Sequence, residues 1–360
     1  MARTEGPFTD RVRKALGLAA RYAASAKKEQ VTPALMLAGL LAVEQSVARS
    51  MLRKLGIDVG TLEGLFPATP RTAQPVRVDR VGYSSQARLV VDSALRAARE
   101  LGARHVGTEH LLLALLEAGG MEVAQALSRV GLKPTGLRLQ ILRQMGAPAG
   151  RLEEARLYVL LTADLASAPL FQAAEALIAG GADIIQYREK ELADGPFLAN
   201  ALTLREMTRK AGVLFLINDR ADVALLAGAD GVHLGQMDLP VEQARRLLGP
   251  TRIVGASTHN EREAQLALLQ RPAYIAAGSM FPTSSKEEVE VGGLPYLSLL
   301  LAKVKPDCPV YAIGGITLEN LGQVLAAGAD RVAVSSAIIR APDIRAACAE
   351  FKSRLTASGK

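Results

Sequence analysis

Ala227-Gly228-Ala229-Asp230-Gly231-Val232-His233-Leu234 holds a helix end, a turn and a strand start within one short stretch. Gly228 supplies the left-handed conformation in which helices stop, alanine packs closely beneath, and an apolar run follows at once. The same punctuation returns at Ala179-Gly180-Gly181-Ala182-Asp183 and at Ala327-Gly328-Ala329-Asp330. Working outward, short apolar runs alternate with longer helical stretches. Strands are expected near 156–161, 183–187, 213–217, 230–234, 252–256, 273–277, 308–313 and 331–335. Eight strands at intervals of about 25 residues are what parallel strands with crossover helices require. The expected fold class is therefore α/β, a TIM (β/α)8 barrel over 155–357. The helix-to-strand joints belong to its bottom, so chemistry is expected on the loops that follow the strands.

The first half of the chain has a different texture. Val31-Thr32-Pro33-Ala34-Leu35-Met36-Leu37-Ala38-Gly39-Leu40-Leu41 aligns with Val106-Gly107-Thr108-Glu109-His110-Leu111-Leu112-Leu113-Ala114-Leu115-Leu116 at an offset of 75 residues. The same offset sets Phe8 on Tyr83, Ala19 on Ala94, Leu52 on Leu127 and Gly56 on Gly131. Apolar residues recur at helical spacing in both copies. Thr32-Pro33 opens one helix as cap and first-turn proline, and Gly56 and Gly131 read as helix stops. The expectation is a separate all-α double-repeat domain over 1–147, with repeats at about 5–65 and 83–146. A proline-broken connection near 66–82 joins the repeats, and a linker over 148–154 leads to the barrel.

At 360 residues, 49% of them hydrophobic, the chain is long enough for two cores. No apolar stretch approaches the ~20 residues that span a bilayer, and the first residues lack an apolar signal core. Two cysteines without metal-type spacing suit a reducing compartment, so a cytoplasmic location with no membrane association is expected. Residues 1–150 carry 21 Lys+Arg against 12 Asp+Glu, whereas 151–360 carry 22 against 24. The basic surplus thus belongs to the helical half, where a solvated basic face is the plain explanation. Trp is absent and aromatics make up only 4%, which argues against a base-stacking platform; no nucleic-acid partner is expected. The four histidines show no ligand spacing, and neither a nucleophile elbow nor a dinucleotide glycine fingerprint occurs.

Polar signatures follow the expected strands one after another. Gln186-Tyr187-Arg188-Glu189-Lys190 follows the second; alternation sends 186, 188 and 190 to one side. Arg188 offers a planar fork for phosphoryl oxygens and Lys190 a mobile point charge, although an exposed Arg-Glu-Lys loop would read the same. Asn218-Asp219 follows the third strand and Asp238 the fourth. Two carboxylates on adjacent strand ends can share one Mg²⁺ completed by phosphate oxygens and water, while each alone reads equally as a turn or cap residue. Ser257 follows the fifth strand as a phosphate donor or a helix cap. Thr283-Ser284-Ser285-Lys286 follows the sixth in a long polar loop able to close over a substrate. Gly314-Gly315 follows the seventh and Ser335-Ser336 the eighth, where barrels of this kind hold phosphate on backbone N–H groups.

Taken in order, Gln-x-Arg-Glu-Lys, Ile-Asn-Asp, His-Leu-Gly-Gln-x-Asp-Leu, Gly-x-Ser-Thr-His, Phe-Pro-Thr-x-x-Lys and Ile-Gly-Gly-Ile make residues about 155–357 resemble the thiamine-phosphate synthases. The helical half is similar to the Clp N-terminal domain, through Thr108 to Leu116 and its degenerate copy from Pro33. No Walker A motif follows, so the chain is not a Clp ATPase. The first resemblance implies an enzyme that joins a hydroxymethylpyrimidine diphosphate to a hydroxyethylthiazole phosphate and releases pyrophosphate. Gln186, Tyr187, Arg188, Glu189, Lys190, Asn218, Ser257 and Lys286 would contact the pyrimidine diphosphate. Asp219 and Asp238 would bind Mg²⁺, and Thr283, Ser284, Ser285, Gly315, Ser335 and Ser336 would bind the thiazole phosphate. Arg188, Lys190 and Lys286 would carry catalysis by neutralising the leaving group. The second resemblance implies a protein partner for the helical half; whether the chain forms a homo-oligomer stays open.

Three positions depart from the family pattern: Tyr187, in a position that should face away from the rim, stands for a usual Leu, Gly278-Ser279-Met280 for Gly-Pro-Ile, and Ser285 for a common Thr. None removes a charge or a ligand. Two rival readings remain: a thiazole tautomerase-like relative on the same fold, or a non-catalytic binding or regulatory protein with a vestigial barrel. Lys190, Asp219, Asp238 and Lys286 weigh against the tautomerase, which needs no diphosphate site.

Overall fold

The computed structural model describes residues 7–66, 81–282, 292–304 and 308–357, and the chain falls into two compact units that divide chiefly at Gly150. Most of the expected connection near 66–82 lies outside the described residues. In the first unit the helices are α1 (Asp10–Ser25), α2 (Pro33–Leu41), α3 (Val47–Lys54), α4 (Val59–Glu63), α5 (Ser85–Glu100), α6 (Thr108–Ala118), α7 (Gly120–Ser128) and α8 (Pro134–Gln144). The 75-residue offset superposes α1 on α5 at both ends and starts α2 with α6 and α4 with α8. Even the caps repeat: Thr9 accepts from the N–H of Val12 and Ser84 from that of Ala87. Helices α2 and α6 are apolar nearly all round, so they form the centre of the unit and are buried along most of their length.

Two short parallel pairings knit the repeats together. Strand β1 (Gln30–Val31) pairs with β2 (Gly82–Tyr83), setting Val31 opposite Tyr83, while Phe8 bridges Val106. Under the 75-residue offset Phe8 corresponds to Tyr83 and Val31 to Val106. Each repeat therefore lends the other the same short extended piece, as a two-fold relation demands.

The second unit is a closed barrel of eight parallel strands in sequence order. They are β3 (Leu157–Leu161), β4 (Ile184–Tyr187), β5 (Leu214–Asn218), β6 (Gly231–Leu234), β7 (Ile253–Thr258), β8 (Tyr274–Ala277), β9 (Val310–Ile313) and β10 (Val332–Val334). Around them run α9 (Leu170–Ala179), α10 (Asp194–Ala211), α11 (Ala221–Leu226), α12 (Val241–Leu248), α13 (Glu261–Leu269), α14 (Gly293–Val304), α15 (Leu321–Ala326), α16 (Ser336–Ile339) and α17 (Ile344–Ala357). Each strand falls on a run expected from the sequence. Gly181, Gly228 and Gly328 all adopt positive φ at the helix-to-strand joints. Among the described residues no single helix is long and apolar enough to cross a membrane.

The aspartates that follow those glycines have a use that the sequence did not disclose. Asp183 Oδ2 accepts from the N–H groups of Arg156 and Leu157 at 2.8 and 2.9 Å, and Asp230 Oδ2 accepts from Phe215 N at 2.9 Å. Each carboxylate thus ties its own strand start to that of the preceding strand. Lys352 and Arg205 balance these charges by ion pairs to Asp183 and Asp230. With its bottom fixed in this way, the barrel presents every strand's C-terminal end to the opposite rim.

Strand alternation sorts side chains into two layers. Leu157, Val159, Ile185, Tyr187, Phe215, Ile217, Val254 and Ile275 belong to the apolar layer packed against the helices. Tyr158, Gln186, His233, Ser257, Tyr274 and Tyr311 have the opposite phase and fill the barrel interior. There Tyr158, Tyr274 and Tyr311 meet edge to face, with ring centroids 5.3–5.7 Å apart.

Candidate active site at the C-terminal rim

A cavity opens at the ends of the strands. It is lined by Leu160 in β3 and Leu165 beyond it, Arg188 after β4, Ser257, Thr258 and His259 at the end of β7, and Gly278 and Ser279 after β8. Gly314, Gly315 and Ile316 after β9, and Ser335 and Ser336 after β10, continue the wall, with apolar residues of β8, β9 and β10 beneath them. Six residues singled out from the sequence therefore share one cavity: Arg188, Ser257, Gly314, Gly315, Ser335 and Ser336.

Local structure explains their placement. Arg188 N–H donates to Leu161 O at 2.9 Å, extending the ladder one residue past β4 so that the side chain keeps the interior phase of Gln186. Gly314 and Gly315 both have positive φ, and a Cβ on Gly315 would fall 2.7 Å from Pro282 O. Only glycine fits that turn, and it leaves the backbone bare toward the cavity. Ser335 caps the one-turn helix α16, and its hydroxyl donates to Leu160 O at 3.3 Å, which joins the last strand loop to the first.

Lys190, Asp219 and Asp238 lie on the loops after β4, β5 and β6, and Asn218 ends β5, all at the same rim but outside the cavity lining. Lys190 and Asp219 are exposed. Asp219 has φ 61°, and its N–H donates to His233 O at 2.8 Å, so the turn after β5 is pinned to β6. Asp238 Oδ2 accepts from the Gly235 N–H at 2.6 Å, a turn contact that fixes the carboxylate at the β6 loop. Thr283, Ser284, Ser285 and Lys286 lie outside the described residues.

Two residues of the diphosphate-contacting run have side-chain partners within the fold. Tyr187 faces away from the rim, as its position led one to expect. It is fully buried against α10, its ring centroid 5.0 Å from that of Phe197, and its hydroxyl accepts from Asn200 Nδ2 at 3.0 Å. Alternation is the reason, since its neighbours 186 and 188 take the interior phase. Burial pushes the phenol up to about 12. Glu189 turns sideways: Oε1 accepts from Ala163 N at 2.8 Å and holds the β3 and β4 loops together. Burial chiefly raises its carboxyl, the Asp164 charge adds to this, and the Ala163 N–H and Arg188 oppose it.

Two polar residues at this end, His259 and Thr162, were given no role by the sequence reading, and Gln186, which was given one, shows an unmet acceptor. His259 lines the cavity with Nδ1 2.8 Å from Glu263 Oε2, one helical turn on. Gln186 is almost wholly buried; its Nε2 donates to the Tyr158 hydroxyl while Oε1 has no partner. Thr162 Oγ1, at the end of the neighbouring strand, is also buried without a partner. Orphaned buried acceptors at a rim are what a ligand's donors would satisfy. The signal was present as period-two alternation, which sets Tyr158 and Thr162 in phase with the interior.

Comparison with known proteins gives this geometry a family. The model described as thiamine monophosphate synthase matches residues 157–338. The chain belongs to the thiamine monophosphate synthase family. A thiamine-phosphate synthase of Methanoculleus marisnigri is 46% identical over 181 residues, half of this chain and 85% of that protein. One from Thermosynechococcus vestitus is 42% identical over 215 residues, covering 60% of each protein. A solved structure, thiamine phosphate pyrophosphorylase from Pyrococcus furiosus, is 37% identical with a TM-score of 0.53, covering 57% of this chain and 98% of that one. As a member of this family the chain is an enzyme, a transferase. The Clp repeat (R) N-terminal domain model matches residues 7–130 and, overlapping, 82–168.

Proposed function

We propose that the chain condenses hydroxymethylpyrimidine diphosphate with hydroxyethylthiazole phosphate, forming thiamine phosphate and releasing pyrophosphate. The observation that carries this reading is the gathering of Arg188, Ser257, Gly315, Ser335 and Ser336 on one cavity from four separate strand ends. The site divides into two halves. Arg188 and Ser257 in the cavity, with Lys190 and Asn218 from the same rim, would contact a diphosphate, and Asp219 and Asp238 would stand beside them; Gly315, Ser335 and Ser336 suit a monophosphate held by backbone N–H groups. Gln186 Oε1, buried and unpartnered, suits the amino group of the pyrimidine.

Among the described residues no cluster of three or more His, Cys, Asp or Glu could hold a metal by itself. Asp219 and Asp238, on adjacent rim loops, would supply two carboxylate ligands to Mg²⁺, an ion that keeps several waters and takes phosphate oxygens as further ligands. When bound there, the ion would neutralise negative charge on the diphosphate.

The reaction needs little proton chemistry from the protein. The bond from the pyrimidine methylene carbon to the diphosphate oxygen breaks, with the electron pair leaving on pyrophosphate. The thiazole nitrogen then uses its lone pair to form the new C–N bond, so no general base is required. Arg188 contributes a fixed fork to the growing charge at the departing oxygen, in a partly buried site where it acts more strongly than in water. The two phosphate subsites hold the thiazole nitrogen near the methylene carbon and so supply orientation.

Incubation with both phosphorylated substrates and Mg²⁺, followed by chromatographic detection of thiamine phosphate, tests the proposal. Product that appears only when both substrates are present is the expected result; its absence, with the thiazole phosphate merely isomerised from a tautomer, would leave the tautomerase reading in its place. For the helical unit, the Clp repeat match supports a role as a protein-interaction module.

A further inference from the structure

The barrel interior contains a continuous line of hydrogen bonds that ends at the cavity. Gln186 Nε2 donates to the Tyr158 hydroxyl. Tyr158 Oη lies 2.9 Å from Tyr274 Oη, which lies 2.8 Å from His233 Nδ1. On the far side of the same ring, His233 Nε2 is 2.8 Å from Ser257 Oγ. Tyr158 and Tyr274 are fully buried, and Gln186, His233 and Ser257 nearly so. Gly255 makes room for the arrangement, since a Cβ there would stand 2.1 Å from the Tyr274 ring.

An amide NH₂ can only donate, and each phenol has one proton. If Tyr158 accepts from Gln186, its own proton goes to Tyr274, and the Tyr274 proton goes to His233 Nδ1. A neutral imidazole that accepts at Nδ1 carries its proton on Nε2. That proton goes to Ser257 Oγ, and the serine proton is left without an acceptor inside the barrel. Ser257 lines the cavity, so the proton turns outward. The opposite order would draw the serine proton back to His233 and leave only lone pairs facing an anionic substrate. Burial pushes both phenols well above their ordinary range, so each keeps the proton that the sequence of bonds requires.

We infer that Gln186, Tyr158, Tyr274, His233 and Ser257 form a one-way hydrogen-bond chain that presents the Ser257 hydroxyl proton to the diphosphate, which makes Tyr158, Tyr274 and His233 positioning residues for the transfer. The inference rests on the proposed contact between Ser257 and the diphosphate. It adds that the contact has a direction, set more than one side chain away in the barrel interior. Bonds in such a line polarise one another, so the last donor is stronger than an isolated serine.

A double-mutant cycle on the full chain tests it, with kcat/KM for the diphosphate substrate measured in wild type, Ser257→Ala, Tyr274→Phe and the pair. Each single variant is expected to lose about tenfold, the scale of one hydrogen bond in the transition state. The pair should be no worse than Ser257→Ala alone, and KM for the thiazole phosphate should not change. Tyr158→Phe, one link further back, should behave like Tyr274→Phe. Losses that multiply in the pair would make Tyr274 a packing residue and overturn the inference. So would a silent Tyr274→Phe beside an impaired Ser257→Ala. A silent Ser257→Ala would instead remove Ser257 from the diphosphate contact, and the inference would fall with that placement.

Discussion

Arg188 sits where the barrel's interior phase meets solvent, partly buried and lining the cavity. Its charge is therefore worth more than a surface lysine's, and Arg188→Ala is expected to lower kcat at least ~100-fold, the scale for removing one preorganised donor. Arg188→Lys should recover only part of this, because an ammonium lacks the planar fork; a pyrophosphate-release assay on the two variants checks the order. Glu189, one position on, has a structural task and a pH signature. Its carboxyl is raised in the fold, so the native state holds a proton more tightly than the unfolded chain and ionisation costs stability. That cost is absent below the ordinary carboxylate value, grows as pH rises through the raised value, and is constant above it. Glu189→Gln keeps an acceptor for Ala163 N–H. It should match wild type in acid and gain thermal stability over it as pH rises to neutrality, whereas a pH-independent difference would contradict the assigned cause.

Strands decide which neighbours of Arg188 can act with it. Tyr187 lies in the layer against α10, so Tyr187→Phe should leave both KM values unchanged and cost about 1 kcal/mol in denaturant unfolding for the lost bond to Asn200. Gly255→Ala should cost about 1–3 kcal/mol, because the added methyl collides with the Tyr274 ring from the next strand. Much of this was legible beforehand. The Gly turns at 181, 228 and 328 and the apolar runs after them located the strands, because a helix stop and a buried strand are local matters of backbone preference and hydrophobicity. Alternation also told that 186 and 188 share a side. It did not reveal that Asp183 and Asp230 would clamp strand starts, or that Tyr158, Tyr274 and His233 would meet inside the barrel. Those contacts join residues up to 116 positions apart, and only closure of the sheet brings them together.

At the scale of the whole molecule, a helical double repeat precedes a barrel that carries the family's residues. A relative from Pyrococcus furiosus matches the barrel over 98% of its own chain, so this part of the fold has a counterpart that needs no helical unit. Residues 151–360 alone are therefore expected to keep the kcat of the full chain; a large loss of kcat on truncation would give the helical unit a part in catalysis. In the proposed reaction, rim carboxylates and cations together take up a diphosphate with Mg²⁺. The rate of pyrophosphate release as a function of Mg²⁺ concentration, in wild type and in Asp219→Ala with both substrates saturating, tests this most directly. Saturable dependence in wild type, with a half-saturating Mg²⁺ concentration raised at least ~10-fold in the variant, is the predicted result for loss of one of two ligands. Identical Mg²⁺ curves for the two proteins, or release that ignores Mg²⁺, would contradict it.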